Sequence, residues 1–159
     1  MNTQMNTQQN THETYVLSMT REFDAPRELV FKAFTDPDHL AAWFGPVGVD
    51  SPRDRIVVEP RVGGAWQLVM VWEEDGVAKE GPIDAVISVY DPPSLLVAAQ
   101  RAEPDAPTTV RPEMRLEFED LDGRTRLYLT QGPFGSAEWM EMTREGWGTS
   151  FTKLDKVLA

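Results

Sequence analysis

From Glu113 onward, the order of local signals leaves few folds open. Glu113 to Leu121 alternates strictly: Met114, Leu116 and Phe118 face one way, and Arg115, Glu117 and Glu119 the other. Asp122-Gly123 is the strongest hairpin signal in the chain, because a tight two-residue turn needs positive φ at both positions. Arg124 to Gln131 returns, with Leu127 and Leu129 inward and Arg126 and Tyr128 outward. Gly132-Pro133 and Gly135 end that run. Ser136 then offers an N-cap, and Met140, Trp147, Phe151, Leu154 and Leu158 form an apolar stripe to about Leu158. A hairpin with one apolar face, followed by one long amphipathic helix, calls for a sheet surface that buries both. Gly146 and Gly148 each cost that helix ~1 kcal/mol, which implies close packing or a kink.

The upstream residues supply the rest of that sheet. Tyr15 to Phe23 alternates as a half-buried strand. Asp24-Ala25-Pro26 starts a helix, with Asp24 or Ala25 at the cap, Pro26 in the first turn and Leu29, Val30, Ala33 and Phe34 at helical spacing. Asp36-Pro37 starts a second, short helix through Leu40, Ala41, Trp43 and Phe44, which Gly45-Pro46 stops. Val47 to Pro60 holds one or two strands, firmest at Ile56-Val57-Val58, and Gly63-Gly64 turns the chain. Ala65 to Glu73 sets Trp66, Leu68, Met70 and Trp72 on one face. Ile83 to Tyr90 and Leu95 to Arg101 are further strands, separated by Asp91-Pro92-Pro93. Ala102 to Pro112 is a polar loop.

The fold class is α+β: a curved antiparallel sheet of about six to seven strands wrapped around a long C-terminal helix, with two short helices after the first strand. A curved sheet and a straight helix cannot touch everywhere, so a cavity is expected between them, with the short helices closing one mouth. Residues 1–13 are polar, begin with a direct repeat and offer too little apolar area to offset ordering entropy. They read as a flexible tail ahead of one domain, 14–159.

Composition removes whole classes of function. The formal charge is −11, and no segment is basic, which argues against nucleic acid and anionic membrane as partners. There is no Cys, so a thiolate nucleophile and a Cys-based zinc site are out. Of the two His, His12 lies in the tail and His39 in the first turn of a short helix, so neither a metal site nor a Ser-His nucleophile is expected. No apolar run approaches the ~20 residues of a membrane span, and the N-terminus has no leader-like apolar stretch. A cytoplasmic location without cofactor follows as the expectation.

Phe23 to Phe34 (FDAPRELVFKAF), then Asp36-Pro37, Leu40 and Trp43-Phe44-Gly45-Pro46, resembles the opening of activator of heat-shock-protein-90 ATPase homologue-like domains. Gly63-Gly64-Ala65-Trp66 with Met70, Asp91-Pro92-Pro93 before Leu95-Leu96-Val97, Thr125-Arg126-Leu127 and Gly146-Trp147 extend the likeness to about Tyr15–Leu158. These domains belong to the SRPBCC superfamily, with the helix-grip fold of START domains and the birch-pollen allergen. The resemblance implies that fold. Its members include co-chaperone domains, polyketide aromatase/cyclases and proteins that bind antibiotics.

Large flat rings and flexible thioethers suit an apolar or aromatic ligand. The candidate lining is Trp66, Leu68, Met70, Trp72, Met114, Leu116, Phe118 and Trp147, with Trp43 and Phe44 at the mouth near Trp139 or Met142. Arg101 and Gln131 are candidates to project inward from strand ends and orient a ligand. No catalytic residue is assigned. The leading expectation is binding of a hydrophobic or aromatic small molecule between sheet and helix. One alternative is an aromatase/cyclase-like enzyme using Arg101, Gln131 or Tyr90. Another is a co-chaperone-like interaction module or homodimer, with the Trp43-Phe44-Gly45-Pro46 segment as its apolar patch.

Overall fold

The computed structural model describes residues 15–101 and 112–159. The expected tail and most of the expected polar loop, 102–111, lie outside the described residues. Seven strands form one curved antiparallel sheet: β1 (Leu17–Phe23), β2 (Val57–Val58), β3 (Ala65–Glu74), β4 (Val77–Asp91), β5 (Leu95–Gln100), β6 (Glu113–Asp120) and β7 (Thr125–Gly132). Their spatial order is β1-β7-β6-β5-β4-β3-β2. Among the described residues three α-helices accompany them: α1 (Arg27–Thr35), α2 (Pro37–Trp43) and α3 (Ala137–Leu158). The α+β helix-grip architecture expected from the alternating segments and the terminal stripe is the one observed.

Local chemistry accounts for most element ends. Asp122 and Gly123 have φ of 64° and 96°, and Leu121 N–H donates to the Arg124 carbonyl at 2.8 Å, closing the β6–β7 turn. Asp75 and Gly76 do the same between β3 and β4, with φ of 54° and 77°. Asp36 caps α2 by accepting from the Asp38 N–H at 2.8 Å, with Pro37 in the first turn. Ser136 caps α3 by accepting from the Trp139 N–H at 3.1 Å.

Three expectations need correction. Pro26 itself is the N-cap of α1, and no side chain caps that end. The segment from Val47 to Pro60 is mostly not strand: Asp50 makes one isolated bridge to Val71, Arg53–Arg55 is a single helical turn, and β2 has two residues. β4 begins at Val77 rather than Ile83, because the Asp75-Gly76 turn pairs Val77–Ile83 with Leu68–Glu74 although Lys79-Glu80-Gly81-Pro82 lacks an apolar pattern.

The outward faces carry the charge. Glu22 on β1 accepts from Arg124 and Arg126, both at 3.1 Å, and the Arg126 bond holds its carboxyl below the ordinary range. Glu119 accepts from Arg126 at 3.2 Å and from the Tyr128 hydroxyl at 2.9 Å. Among the described residues, no helix is long and apolar enough to cross a membrane.

The inner face is filled from one end. The rings of Phe31, Phe34, Trp43 and Phe44 descend from α1 and α2 onto Phe118, Trp147 and Phe151, with centroids 4.9–6.5 Å apart. Two indoles also close the C-terminus of α1. Trp43 Nε1 donates to the Ala33 carbonyl at 2.9 Å, and Trp66 Nε1 to the Phe34 carbonyl at 2.8 Å. Those last-turn carbonyls have no partner within the helix, so the indoles satisfy groups that burial would otherwise leave orphaned.

The two glycines of α3 differ. A Cβ at Gly146 would sit 3.2 Å from Pro46 Cγ, so this glycine admits the loop after α2. A Cβ at Gly148 would meet nothing within 4 Å. Gly148→Ala is therefore expected to raise the unfolding free energy by roughly 0.5–1 kcal/mol, read as a higher urea midpoint at unchanged slope.

Candidate functional site

A cavity of about 420 Å³ opens where the ring packing from α1 and α2 ends. Its sheet wall is Met70 and Trp72 of β3, Ile83 of β4 and Gln131 near the end of β7. Alternation along β3 explains the division of labour there: Trp66 and Leu68 are buried in the core, Trp66 against the end of α1, and Met70 and Trp72, further along the same face, reach the cavity. Phe134 follows β7, with its backbone N–H bonded to the Tyr15 carbonyl at 2.8 Å.

The helix wall is Trp139, Met142, Thr143, Gly146, Trp147 and Ser150. These residues recur every three or four positions on one side of α3, so a single helical stripe builds the wall. Trp139 and Met142 are 56% and 71% exposed, which sets them at the rim. Trp139 packs edge-on against Phe134, with centroids 5.5 Å apart.

Phe44, Gly45 and Pro46 form the remaining edge. The loop that carries them is fastened to α3. Lys153 Nζ donates to the carbonyls of Gly45 and Val49, each at 3.0 Å, and the Val47 N–H donates to Thr149 Oγ1 at 3.3 Å. Burial holds the Lys153 pKa below the usual lysine range, opposed by the Asp50 carboxylate.

Among the described residues the lining contains no charged side chain; its polar side chains are Gln131, Thr143 and Ser150, together with the indole N–H groups. Gln131 Oε1 accepts from Trp147 Nε1 at 2.7 Å. Thr143 and Ser150 donate to the carbonyls of Trp139 and Gly146, at 2.9 and 2.8 Å. Among the described residues, no group of three or more His, Asp or Glu is placed to hold a metal ion.

Of the residues picked from the sequence, the structure brings together Phe44, Met70, Trp72, Gln131, Trp139, Met142 and Trp147. Six others belong to the packed core instead: Trp43, Trp66, Leu68, Met114, Leu116 and Phe118. Trp43 is fully buried rather than at a mouth, because its indole seals α1 and its ring lies between Phe34 and Phe151. Arg101 does not project inward: it is exposed at the end of β5, with Nε 3.2 Å from Asp84 Oδ1. Tyr90 packs edge-on against Phe31 at 5.7 Å, away from the cavity. His39 is half-buried on α2 and does not line the cavity, and its Nδ1 has no partner.

Sequence reasoning passed over Ile83, Phe134, Thr143 and Ser150, and gave Gly45-Pro46 to an interaction patch rather than to this edge. Thr143 and Ser150 had a findable signal. They share the side of α3 that carries Trp139, Gly146 and Trp147, but a search for apolar residues skips them.

The fold is similar to solved structures from several bacteria. A protein from Nitrosomonas europaea shares 23% identity with a TM-score of 0.75, covering 91% of this chain and 94% of that one. A Chromobacterium violaceum protein gives 23% and 0.76, covering 91% and 96%. The AHSA1 protein from Silicibacter pomeroyi gives 25% and 0.71, covering 90% and 96%. No curated protein matches the sequence. Residues 24–159 match the family described as Activator of Hsp90 ATPase homolog 1-like protein, which supports a ligand-binding or co-chaperone-like fold. With that match running from just after β1 to the last residue, across both short helices, six strands and the long helix, the chain belongs to the Activator of Hsp90 ATPase homolog 1-like family.

Proposed function

We propose that this chain binds a hydrophobic or aromatic small molecule in the cavity between the sheet and α3. One observation carries the reading: a space of about 420 Å³, walled mainly by Trp, Phe, Met and Ile side chains, lies beside the buried aromatic core. A void of that size and polarity is suited to a ligand of a few fused rings, whose burial would supply most of the affinity. The exposed Trp139 and Met142 at the rim support entry by an apolar molecule, since both would lose water contact when the cavity is occupied. Binding is favoured over cyclase-like catalysis by the lining, because Gln131, Thr143 and Ser150 do not titrate in the ordinary pH range and supply no acid–base pair.

Intrinsic Trp fluorescence and calorimetry against lipids, polyketides and flavonoids test the reading. Trp72, Trp139 and Trp147 all line the cavity, so occupancy should move the emission. Thr143→Trp fills the cavity from the helix side. It is expected to weaken any ligand found by about tenfold or more, while the thermal midpoint holds. Flat emission and no heat across the whole panel would overturn the assignment.

A further inference from the structure

Resting on the binding reading above, a narrower statement concerns which hydrogen-bonding groups of the cavity are still unpaired. An indole N–H can only donate, so the bond from Trp147 Nε1 requires the oxygen of the Gln131 amide to face it. That bond fixes the amide orientation and leaves the Gln131 Nε2 protons free. Among the described residues Nε2 has no hydrogen-bond partner, and neither do the indole nitrogens of Trp72 and Trp139. The two hydroxyls of the lining have already spent their protons on helix carbonyls. Among the described residues, the unpaired protons of this cavity therefore belong to N–H donors, and no charged side chain of the lining accompanies them.

We infer that the ligand is a neutral fused-ring or aromatic molecule carrying a hydrogen-bond acceptor, a carbonyl or ether oxygen, that the Gln131 amide N–H receives. A carboxylate would lose its hydration with no counter-charge to replace it. A bare hydrocarbon would cover the Gln131 N–H and leave it without a partner. The Trp147 bond holds Gln131 in the receiving orientation before the ligand arrives, so little side-chain freedom is lost on binding.

Three probes of one shape separate the cases: fluorenone, fluorene and fluorene-9-carboxylate, titrated calorimetrically into the full chain. Gln131→Glu keeps an oxygen for Trp147 but replaces the free donor by an acceptor. It is expected to weaken fluorenone by at least about tenfold, the equivalent of one hydrogen bond, and to weaken fluorene by less, since only the ketone loses a donor. Gln131→Met, which has neither group, serves if the glutamate variant does not fold, with the same split expected. In the unmodified chain the carboxylate should bind at least about tenfold more weakly than the ketone. A carboxylate that binds as well as the ketone overturns the inference. So does a variant that shifts ketone and hydrocarbon equally or shifts neither, although the cavity remains a binding site in these cases. If none of the three probes binds the unmodified chain, the inference falls, whereas the binding reading falls only if the wider panel of lipids, polyketides and flavonoids is silent as well.

Discussion

Trp43→Ala is expected to lower the unfolding free energy by about 3–5 kcal/mol, the usual range for emptying a buried large aromatic site. Trp43 is fully buried, meets Phe34 edge-on at 4.9 Å and lies near-parallel to Phe151 at 6.4 Å. Its loss removes that packing and also the donor to the Ala33 carbonyl at 2.9 Å. For a domain this size the thermal midpoint should fall by roughly 10 °C. Trp43→Phe separates the two contributions, since it keeps a ring and removes the N–H. That variant should cost about 1–2 kcal/mol, the range for an unpaired buried carbonyl. Chemical denaturation followed by circular dichroism reads both. Equal losses in the two variants would show that the N–H, not the ring, dominates, and a tolerated Trp43→Ala would mean that the core does not depend on this plug.

Gly64→Ala is the second large effect, and it comes from the backbone. A Cβ on Gly64 would overlap the Glu59 carbonyl oxygen and sit 2.9 Å from that of Arg61. Neither oxygen can retreat easily. Gly64 N–H donates to the Arg61 carbonyl at 2.9 Å, its own carbonyl accepts from Ile87 N–H at 2.9 Å, and Glu59 N–H donates to the Ala65 carbonyl at 2.8 Å. The expected cost is about 3 kcal/mol or more, in the range where a clash must be relieved by moving the main chain. The variant should also disturb the cavity, because Gly64 leads directly into β3. A one-residue slip of β3 would turn Met70 and Trp72 to the opposite face. Denaturation measures the first effect. Loss of ligand-induced change in the Trp emission measures the second. A folded, binding-competent Gly64→Ala chain would overturn both.

Much of the architecture was legible from local patterns. The strict alternation of Glu113–Leu121, the Asp122-Gly123 turn, the Asp36 and Ser136 caps and the stripe on α3 each rest on interactions within a few residues. That is the range over which sequence speaks directly. The misread segments were those without such periodicity. Lys79-Glu80-Gly81-Pro82 is strand only because β3 pairs with it, and Gly81 lets the Trp72 ring lie close: a Cβ there would be 3.2 Å from that ring. Within the candidate site, the aromatic and thioether residues stood out by type. Thr143 and Ser150 were missed because small hydroxyl residues on a helix usually indicate nothing beyond solvent contact.

By itself, the sequence determined the order of the main elements, the faces of the strictly alternating strands and of the long helix, the family and the confinement of most charge to the outer surface. Those properties depend on residue type at short spacing. Only the tertiary structure decided which half of the sheet–helix interior is filled and which stays open. That choice turns on contacts between distant residues: Trp66 reaching the Phe34 carbonyl, Trp43 filling the space beside Phe151, and Gly146 admitting Pro46. Alternation told Trp66, Leu68, Met70 and Trp72 to face inward together. The packed core takes up the first two, and the cavity is the space beside the second two.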